Sequence, residues 1–321
     1  MKAAVYKSYG PPEILKIEEV REPRIEEGHE DGVILKVHSA SVNPYDVLHR
    51  MGFLPVRPSN GFMTPKQQIL GIDVAGTVEA IGRNVTKFKV GDRVFGSCLG
   101  SHAEYVRVGE RSITKMPSNL TFTEAGAVAC TALSALQAIK DKAQVTKGQK
   151  VLIIGASGGI GHFSVQIARL YGAEVTAVCS TPNLGWVKKL GAHHMIDYTK
   201  EDFTKNGKRY DVILDASAAR TYFSCRGSLT PTGFYMTENP TKPRFQLLQV
   251  LLASLTKDKK FRGPGLTQTG GDNLECIRQL LEAGKIKPVV ERTYSLDQIA
   301  QAHRHVENGH TKGKVVIEVA R

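Results

Sequence analysis

Short apolar runs separated by glycine-containing turns fill the chain up to residue 122. They are Val33–His38, Val74–Ile81, Arg93–Phe95 and Ala103–Val108. Short runs rich in β-branched residues and bounded by turn residues are typical of strands. We therefore expect residues 1–122 to form a small, mostly β domain. The same pattern returns at 288–321, which we expect to complete that domain.

The middle of the chain, residues 123–287, alternates helical and strand patterns. Helices are predicted at Glu124–Lys140, Leu184–Leu190 and Asn273–Ala283, and strands at Ile196–Tyr198, Val212–Asp215 and Gly233–Met236. Such alternation is typical of an α/β fold with a parallel sheet. We expect this segment to be a dinucleotide-binding domain built on a doubly wound parallel sheet.

A glycine-rich turn in this segment gives the clearest indication of function. Val151–Ile154 is typical of a strand buried on both faces, and His162–Tyr171 repeats apolar residues at helical spacing. A strand, a tight turn and a helix start together bind pyrophosphate, because the first N–H groups of the helix favour an anion. The residues assigned to this site are Gly155, Ser157, Gly158, Gly159, Ile160 and Gly161. Ala156 stands where the usual fingerprint has a glycine, and a turn that only links packed elements is the alternative.

The next predicted strand, Ala173–Ser180, bears on the choice of cofactor. In enzymes that use NAD this strand ends in Asp or Glu, which binds the ribose hydroxyls. Here Ser180 and Thr181 follow Cys179, with no acid. A missing carboxylate removes repulsion toward a 2′-phosphate and hydroxyls can donate to it, so we expect NADPH rather than NADH. Alternatively, Ser180 and Thr181 only form a turn before Pro182.

Composition limits the class of protein. With 321 residues, 41% hydrophobic and 23% charged, the sequence is typical of a soluble globular protein of about two domains. Its five cysteines are widely separated and form no C-x-x-C pair, which indicates a reducing compartment. No apolar run approaches the ~20 residues of a membrane span. Because Met1–Tyr6 already has strand character, we expect no leader and a cytoplasmic location, or an organellar one if a presequence was removed.

The net charge of +12 has several possible meanings. A basic protein attracts an anionic cofactor, a lipid surface or nucleic acid. Lysines and arginines are spread along the chain, however, and the densest cluster, Lys257–Arg262, lies in no known nucleic-acid module. We expect no nucleic-acid partner and favour a surface turn there, with peripheral membrane contact as the alternative.

Seven segments carry a resemblance to a known family. They are Ser41–Asp46, Leu70–Val78, Val90–Gly96, Ala129–Ile139, Gly155–Gly161, Leu190–Tyr198 and Gly313–Val316. In this order the chain resembles the zinc-free quinone oxidoreductase branch of the medium-chain dehydrogenase/reductase superfamily. The resemblance implies an α/β protein with a mostly β, GroES-like catalytic domain and a Rossmann domain. It also implies that cofactor and substrate bind in the cleft between them, and that the protein is a homodimer.

The resemblance also shows where zinc-dependent relatives keep their metal ligands. These positions fall at Asn43, Ile72 and Cys130. Catalytic zinc needs three protein ligands, which an amide and an isoleucine do not supply, so we expect no metal. Cys130 is then expected to be a small buried apolar residue. His303 and His305 lie two apart on a predicted helix, where the imidazoles diverge, and we predict that they lie on the surface.

Without a metal, hydride transfer needs an acceptor that is already electrophilic, such as a quinone or an α,β-unsaturated carbonyl. Asn43 can present an amide N–H to the acceptor carbonyl or to the nicotinamide. Tyr45 stands where zinc relatives keep a proton-relaying Ser or Thr, so it can donate a proton or a hydrogen bond. Asp46 is expected to anchor the segment through Arg50 or backbone N–H groups. Alternatively, Asn43 opens an ordinary turn and Tyr45 only covers apolar surface.

Two more cofactor contacts are implied by the resemblance. Ser134 matches a threonine beside the nicotinamide, and Tyr198 matches a tyrosine near the adenosine phosphate. A serine bonded to a helix carbonyl and an ordinary strand-end aromatic are the alternatives. The sequence hypothesis is thus an NADPH-dependent, zinc-independent oxidoreductase that reduces small lipophilic quinones or the C=C bond of α,β-unsaturated carbonyls. The competing hypothesis is an NADPH-binding scaffold that docks to a membrane surface or a protein partner, with incidental activity.

Overall fold

The computed structural model describes residues 1–238, 260–262 and 269–319, so half of the predicted basic turn at 257–262 lies outside the described residues. Internal contacts divide the chain into two compact units. The first contains Met1–Leu133, Gln268–Gly284 and Pro288–Arg321, and the second contains Ser134–Thr267 and Lys285–Lys287. Residues 123–133 and 268–284, which the sequence interpretation assigned to the dinucleotide-binding domain, group with the first unit in this division.

The first unit is built on strands, numbered here along the whole chain. Within the described residues they are β1 (Lys2–Val5), β2 (Lys16–Glu19), β3 (Gly32–Val42), β4 (Asp73–Ile81), β5 (Arg93–Ser97), β6 (Tyr105–Gly109), β7 (Ile113–Lys115), β14 (Val290–Ser295) and β15 (Lys314–Glu318). The strands β1 and β2 pair with each other, and the others form a sheet in the order β14-β15-β3-β4-β5-β7, with β6 also paired to β3. Val315 of β15 lies opposite Val42 of β3 in an antiparallel register. The tail of the chain thus adds two strands to the sheet that the N-terminal segment begins.

Short helices complete the first unit. They are α1 (Pro44–Arg50), α2 (Arg57–Asn60), α3 (Phe122–Ala125), α8 (Gly271–Glu282) and α9 (Ile299–Glu307), while α4 (Ala129–Leu136) begins in this unit. One apolar cluster packs α9 and the tail against β1, with Ala4, Ile299 and Ile317 among its members. No helix among the described residues is long and apolar enough to span a membrane.

The second unit is a doubly wound sheet. Its described strands are β8 (Lys150–Ile154), β9 (Glu174–Cys179), β10 (His194–Asp197), β11 (Tyr210–Asp215), β12 (Leu229–Thr237) and β13 (Phe261–Arg262), and its described helices are α5 (Gly159–Leu170), α6 (Leu184–Lys189) and α7 (Tyr222–Cys225). All pairs are parallel, in the order β10-β9-β8-β11-β12-β13. The order reverses between β8 and β11, and this switch point is where such sheets bind dinucleotides.

The predicted helix Glu124–Lys140 is interrupted in the structure. Thr121 caps α3 by accepting a hydrogen bond from the Glu124 N–H, but α3 ends after one turn, and three residues separate it from the start of α4. A Cβ atom at Gly126 would collide with the Ser39 side chain on β3, so the backbone passes close to the sheet there. This close approach breaks the helix, and the sequence periodicity could not show it.

The prediction that His303 lies on the surface is wrong. The side chain is fully buried on α9, because it shares the inward face with Ile299 and Ala302 at helical spacing. Neither of its ring nitrogens has a hydrogen-bond partner in the described structure. The buried ring of His102 contacts it edge to face, with ring centroids 5.7 Å apart. Burial, followed by the positive field of His102 and Arg50, holds the pKa of His303 well below its usual 6.5.

Because His303 is buried with a lowered pKa, we expect the fold to lose stability in acid. The pKa of His303 is lower in the folded state than in the unfolded state. The fold therefore keeps its full stability above pH 6.5 and loses stability as the pH falls below that value. For each pH unit below 6.5 over which the buried imidazole stays neutral, the free energy of unfolding falls by about 1.4 kcal/mol. We expect urea unfolding to give a smaller loss of stability between about pH 7 and pH 5 for His303→Leu than for the wild type. Equal pH dependence in the two proteins would contradict a neutral buried His303.

Candidate functional site

The glycine turn of the second unit follows β8 at the switch point of the sheet. Gly155 has φ +73°, and a Cβ there would press on the Ser217 side chain that follows β11. A Cβ at Gly161 would collide with the carbonyl oxygen of Gly155, so only glycine lets α5 pack this closely on the turn. These two glycines therefore meet a requirement of the backbone itself.

The start of α5 has the properties of an anion site. Gly158 is its N-cap in an extended conformation, and no side chain caps the helix. A Cβ at Gly158 would meet only the Gly155 carbonyl oxygen, at an ordinary 3.4 Å. Ser157, Gly159 and Ile160 are partly accessible around it. The backbone N–H groups of a first turn without a side-chain cap fit the diphosphate of a dinucleotide.

The end of β9 carries the two hydroxyls predicted to recognise a 2′-phosphate. The Ser180 hydroxyl accepts a hydrogen bond from the Asn183 amide at 3.0 Å. The Thr181 hydroxyl donates to the carboxylate of Asp197 at the end of β10. The sequence interpretation missed this carboxylate, because it comes from the neighbouring strand in space and not from the end of β9. Hydrogen bonds from the Thr181 and Thr199 hydroxyls lower the pKa of Asp197.

Two further predicted cofactor residues also lie in the second unit. Tyr198 directly follows β10, and its ring is about half exposed, at 48%. Its backbone N–H donates to the Cys179 carbonyl at 3.2 Å, which keeps it beside the end of β9. Ser134 is buried within α4. The structure thus brings Tyr198 to the same sheet edge as Ser180 and Thr181.

In the first unit, Asn43 is the N-cap of α1, between β3 and the helix. Its backbone N–H donates to the Asp46 carboxylate at 2.8 Å, and the second oxygen of Asp46 accepts from the Gly71 N–H at 2.9 Å. The expected anchoring role of Asp46 is therefore carried by backbone groups. Arg50 instead contacts the Gly10 carbonyl and Glu307.

The Asn43 side chain belongs to a buried polar network. Its oxygen accepts from the ammonium of Lys314, and its amide nitrogen donates to Asp73 at 3.0 Å. Lys314 and Asp73 form an ion pair at 3.0 Å, with side chains 3% and 0% exposed. The Ser41 hydroxyl donates to the same Asp73 oxygen. Sequence reasoning missed Lys314 and Asp73; the only signal was a charged residue at the start of each of two mainly apolar strands.

Tyr45 is the predicted catalytic residue that reaches the surface. Its side chain is 37% exposed, and its ring lies 3.9 Å from that of His49, one helical turn later. No hydrogen bond to its hydroxyl is formed by the described residues. Partial burial, followed by the charge of Asp46, raises the pKa of Tyr45, so the hydroxyl stays protonated and can donate.

The three positions that correspond to zinc ligands differ from a metal site in chemistry. The side-chain oxygen of Asn43 already accepts a hydrogen bond from the Lys314 ammonium, and Ile72 has no ligating side-chain atom. Burial, followed by the charge of Asp73, raises the pKa of Cys130 to about 12, whereas zinc binds a thiolate. In the described part of the chain no group of three His, Cys, Asp or Glu side chains is arranged to hold a metal. These residues do not fit a zinc ion.

Comparison with known proteins bears on the whole chain. Residues 29–133 match the alcohol dehydrogenase GroES-like domain, and residues 190–317 match the family described as zinc-binding dehydrogenase. The chain is 34% identical to the mitochondrial NAD(P)H oxidoreductase RTN4IP1 of Mus musculus, over 99% of this chain and 89% of the relative. It is 32% identical to the 2-methylene-furan-3-one reductase of Solanum lycopersicum, over 99% and 79%.

A solved structure gives the same result for the fold. The quinone oxidoreductase from Coxiella burnetii superposes with a TM-score of 0.88 at 29% identity, over 100% of this chain and 99% of that one. The predicted GroES-like unit and doubly wound dinucleotide-binding sheet are thereby confirmed. The chain belongs to the medium-chain dehydrogenase/reductase superfamily, in its zinc-free quinone and enone oxidoreductase branch, whose members are nicotinamide-dependent oxidoreductases.

Proposed function

We propose that this enzyme uses NADPH to reduce quinones or the C=C bond of α,β-unsaturated carbonyls, without zinc. The observation that carries the proposal is the chemistry at the metal positions, where an amide held by an ammonium and an isoleucine replace metal ligands. An acceptor that needs no Lewis acid is one that is already electrophilic. The printed names of the quinone oxidoreductase and furanone reductase relatives support the same acceptor class.

In this proposal the glycine turn, Tyr45 and Asn43 have different roles. The bound cofactor supplies the hydride. The glycine turn binds its diphosphate through backbone N–H groups. The Tyr45 hydroxyl, protonated because of its raised pKa, donates a hydrogen bond to the acceptor carbonyl oxygen as negative charge develops there. For Asn43 we propose a supporting role, because its amide groups are already bonded to Lys314, Asp73 and Ser41.

The preference for NADPH is supported by the end of β9, where hydroxyls and no acid stand. The Asp197 carboxylate counts against it, because it lies within hydrogen-bond distance of Thr181. We propose that Ser180 and the backbone beside it receive the 2′-phosphate, with Tyr198 next to the adenosine. For Ser134 we propose a contact with the nicotinamide side of the cofactor.

The glycine cradle gives the first test of cofactor binding. Gly158→Ala adds a methyl group that the fold tolerates at 3.4 Å but that obstructs the approach of a diphosphate. We expect the Kd for NADPH to rise at least about tenfold, about 1.4 kcal/mol, with an almost unchanged Tm. The matched variant Gly161→Ala is expected to lower the Tm as well, because its Cβ collides with the backbone. A Gly158→Ala protein with wild-type affinity would place the diphosphate elsewhere.

The reaction itself is tested by NADPH oxidation with a medium-chain vinyl ketone and with a simple quinone, in the presence of EDTA. We expect turnover that EDTA does not inhibit, a saturated ketone product and slower turnover with NADH. Tyr45→Phe should lower kcat at least about tenfold, as the loss of a proton or hydrogen-bond donor does. Tyr105→Phe, on the remote strand β6, is the matched control and should keep wild-type kcat. Wild-type kcat in Tyr45→Phe would remove Tyr45 from the mechanism.

A second candidate function, docking to a membrane surface, is supported by an exposed apolar segment. Met51, Leu54, Phe62 and Met63 are 50%, 72%, 66% and 87% exposed. The segment is fixed by hydrogen bonds from Arg57 to the Gly52 carbonyl and from Tyr9 to the Gly61 carbonyl. Residues 51–68 contain two cations and no acid, which suits an anionic lipid surface.

Vesicle co-sedimentation separates docking from catalysis. We expect the wild type to bind vesicles rich in anionic lipid, and Phe62→Ser/Met63→Ser to bind at least about tenfold more weakly, because two apolar side chains leave the bilayer. The control Val90→Ser/Leu99→Ser changes two similarly exposed residues outside the segment. Equal loss in both double variants would mean that the segment has no special role. NADPH binding without turnover on the acceptors above, together with vesicle binding, would favour the scaffold function.

Two further proposals concern assembly and location. We propose a homodimer, as the family resemblance implies, which sedimentation equilibrium measures. We keep the cytoplasm as the proposed location on the basis of cysteine usage. The mitochondrial relative supports the organellar alternative, and cell fractionation distinguishes the two.

A further inference from the structure

The buried ammonium of Lys314 is the least expected group in the first unit. It lies at the first residue of β15 and is 3% exposed, and within the described part of the chain it bonds to the buried side chains of Asn43 and Asp73. Removing an ammonium and a carboxylate from water is costly, and this cost is offset only when the remaining hydrogen bonds are well made. The ion pair with Asp73 and the bond to Asn43 meet that condition.

These partners fix the orientation of the Asn43 amide. An ammonium can only donate and a carboxylate can only accept. The amide oxygen must therefore face Lys314, and the amide nitrogen must face Asp73, at 3.0 Å. Amide orientation is often ambiguous, but here the two charged partners leave one choice.

Asn43 is also bonded through its backbone to the first turn of α1. The Asn43 carbonyl accepts the N–H groups of Asp46 and Val47, at 3.0 and 3.3 Å, and forms the first turn of the helix. Tyr45 is the second residue of this turn. The second oxygen of Asp73 accepts the Cys130 N–H at 2.6 Å, so the same carboxylate also holds the start of α4.

We infer that Lys314 is a positioning residue for the reductase: its ammonium locks the Asn43 amide, which holds the first turn of α1 and thereby the Tyr45 hydroxyl. The inference rests on the proposed function for its kinetic consequence. Its structural part, the order of the first turn of α1, does not depend on which reaction the enzyme catalyses.

The test must avoid leaving Asp73 as an unpaired buried charge, which would destabilise the fold on its own. Lys314→Met/Asp73→Asn removes both charges together, and we expect an apparent Tm within about 5 °C of the wild type. The Kd for NADPH should stay within about twofold, while kcat falls at least about tenfold, because only the positioning of Tyr45 is lost. If this double variant keeps both the wild-type kcat and the wild-type stability, Lys314 only neutralises Asp73, and the inference is overturned.

Non-additivity gives a second kinetic readout. If Lys314 acts through Asn43, the double substitution should lower kcat less than about twofold further in an Asn43→Ala background. Fully additive losses would show that Lys314 acts by another route. If the double variant does not fold, Asn43→Ala alone replaces it, and wild-type kcat and wild-type exchange at α1 would overturn the inference.

Hydrogen exchange gives a readout without turnover. In Lys314→Met/Asp73→Asn the amides of Asp46 and Val47 should exchange at least about fivefold faster, as local opening of the first turn becomes easier. The control is Lys142→Met/Glu238→Gln, which removes a partly buried ion pair, 2.8 Å long, in the second unit. That control should leave exchange in α1 unchanged. Unchanged exchange in the Lys314 variant would overturn the inference, and an inactive wild type with faster exchange in the variant would fault only the proposed reaction.

Discussion

The first unit depends on one buried ion pair, between Lys314 on β15 and Asp73 on β4. An unpaired charge in this position would cost several kcal/mol, so each residue requires the other. Two strands that are 241 residues apart in sequence are thereby tied at one point. Asn43, Ser41 and the start of α4 attach to the same carboxylate, and the candidate catalytic turn is built on it.

The candidate residues of each unit are arranged by different physical means. In the second unit the backbone forms the site, because glycine is required where a Cβ would strike the turn, and the helix start provides N–H groups. Sequence periodicity and glycine spacing can indicate such a strand, turn and helix, since every residue involved lies in one continuous segment. The strand Val151–Ile154 was predicted to within one residue, whereas α5 begins at Gly159, three residues before the predicted start at His162.

The side-chain network of the first unit could not be predicted in the same way. Asn43, Asp73 and Lys314 lie on three strands or strand ends, and only the sheet register brings them together. The sequence did indicate Asn43 and Tyr45 as a pair, yet the structure engages the Asn43 amide internally and leaves Tyr45 accessible. His303 was missed because a polar residue on the inward face of a helix looks, in sequence, like a surface residue. The strand β9 ends without an acid, as expected, but the Asp197 carboxylate beside its end was missed because it belongs to the neighbouring strand.

The same ion pair also explains why a metal would not suit this site. The Lys314 ammonium bonds to Asn43, at the first metal position, and forms an ion pair with Asp73. A divalent cation would have to approach this fixed positive charge and displace it from Asp73. In the reaction proposed above, a site without a metal relies on an acceptor that is reactive by itself and on the positioning of the Tyr45 hydroxyl more than on its acidity.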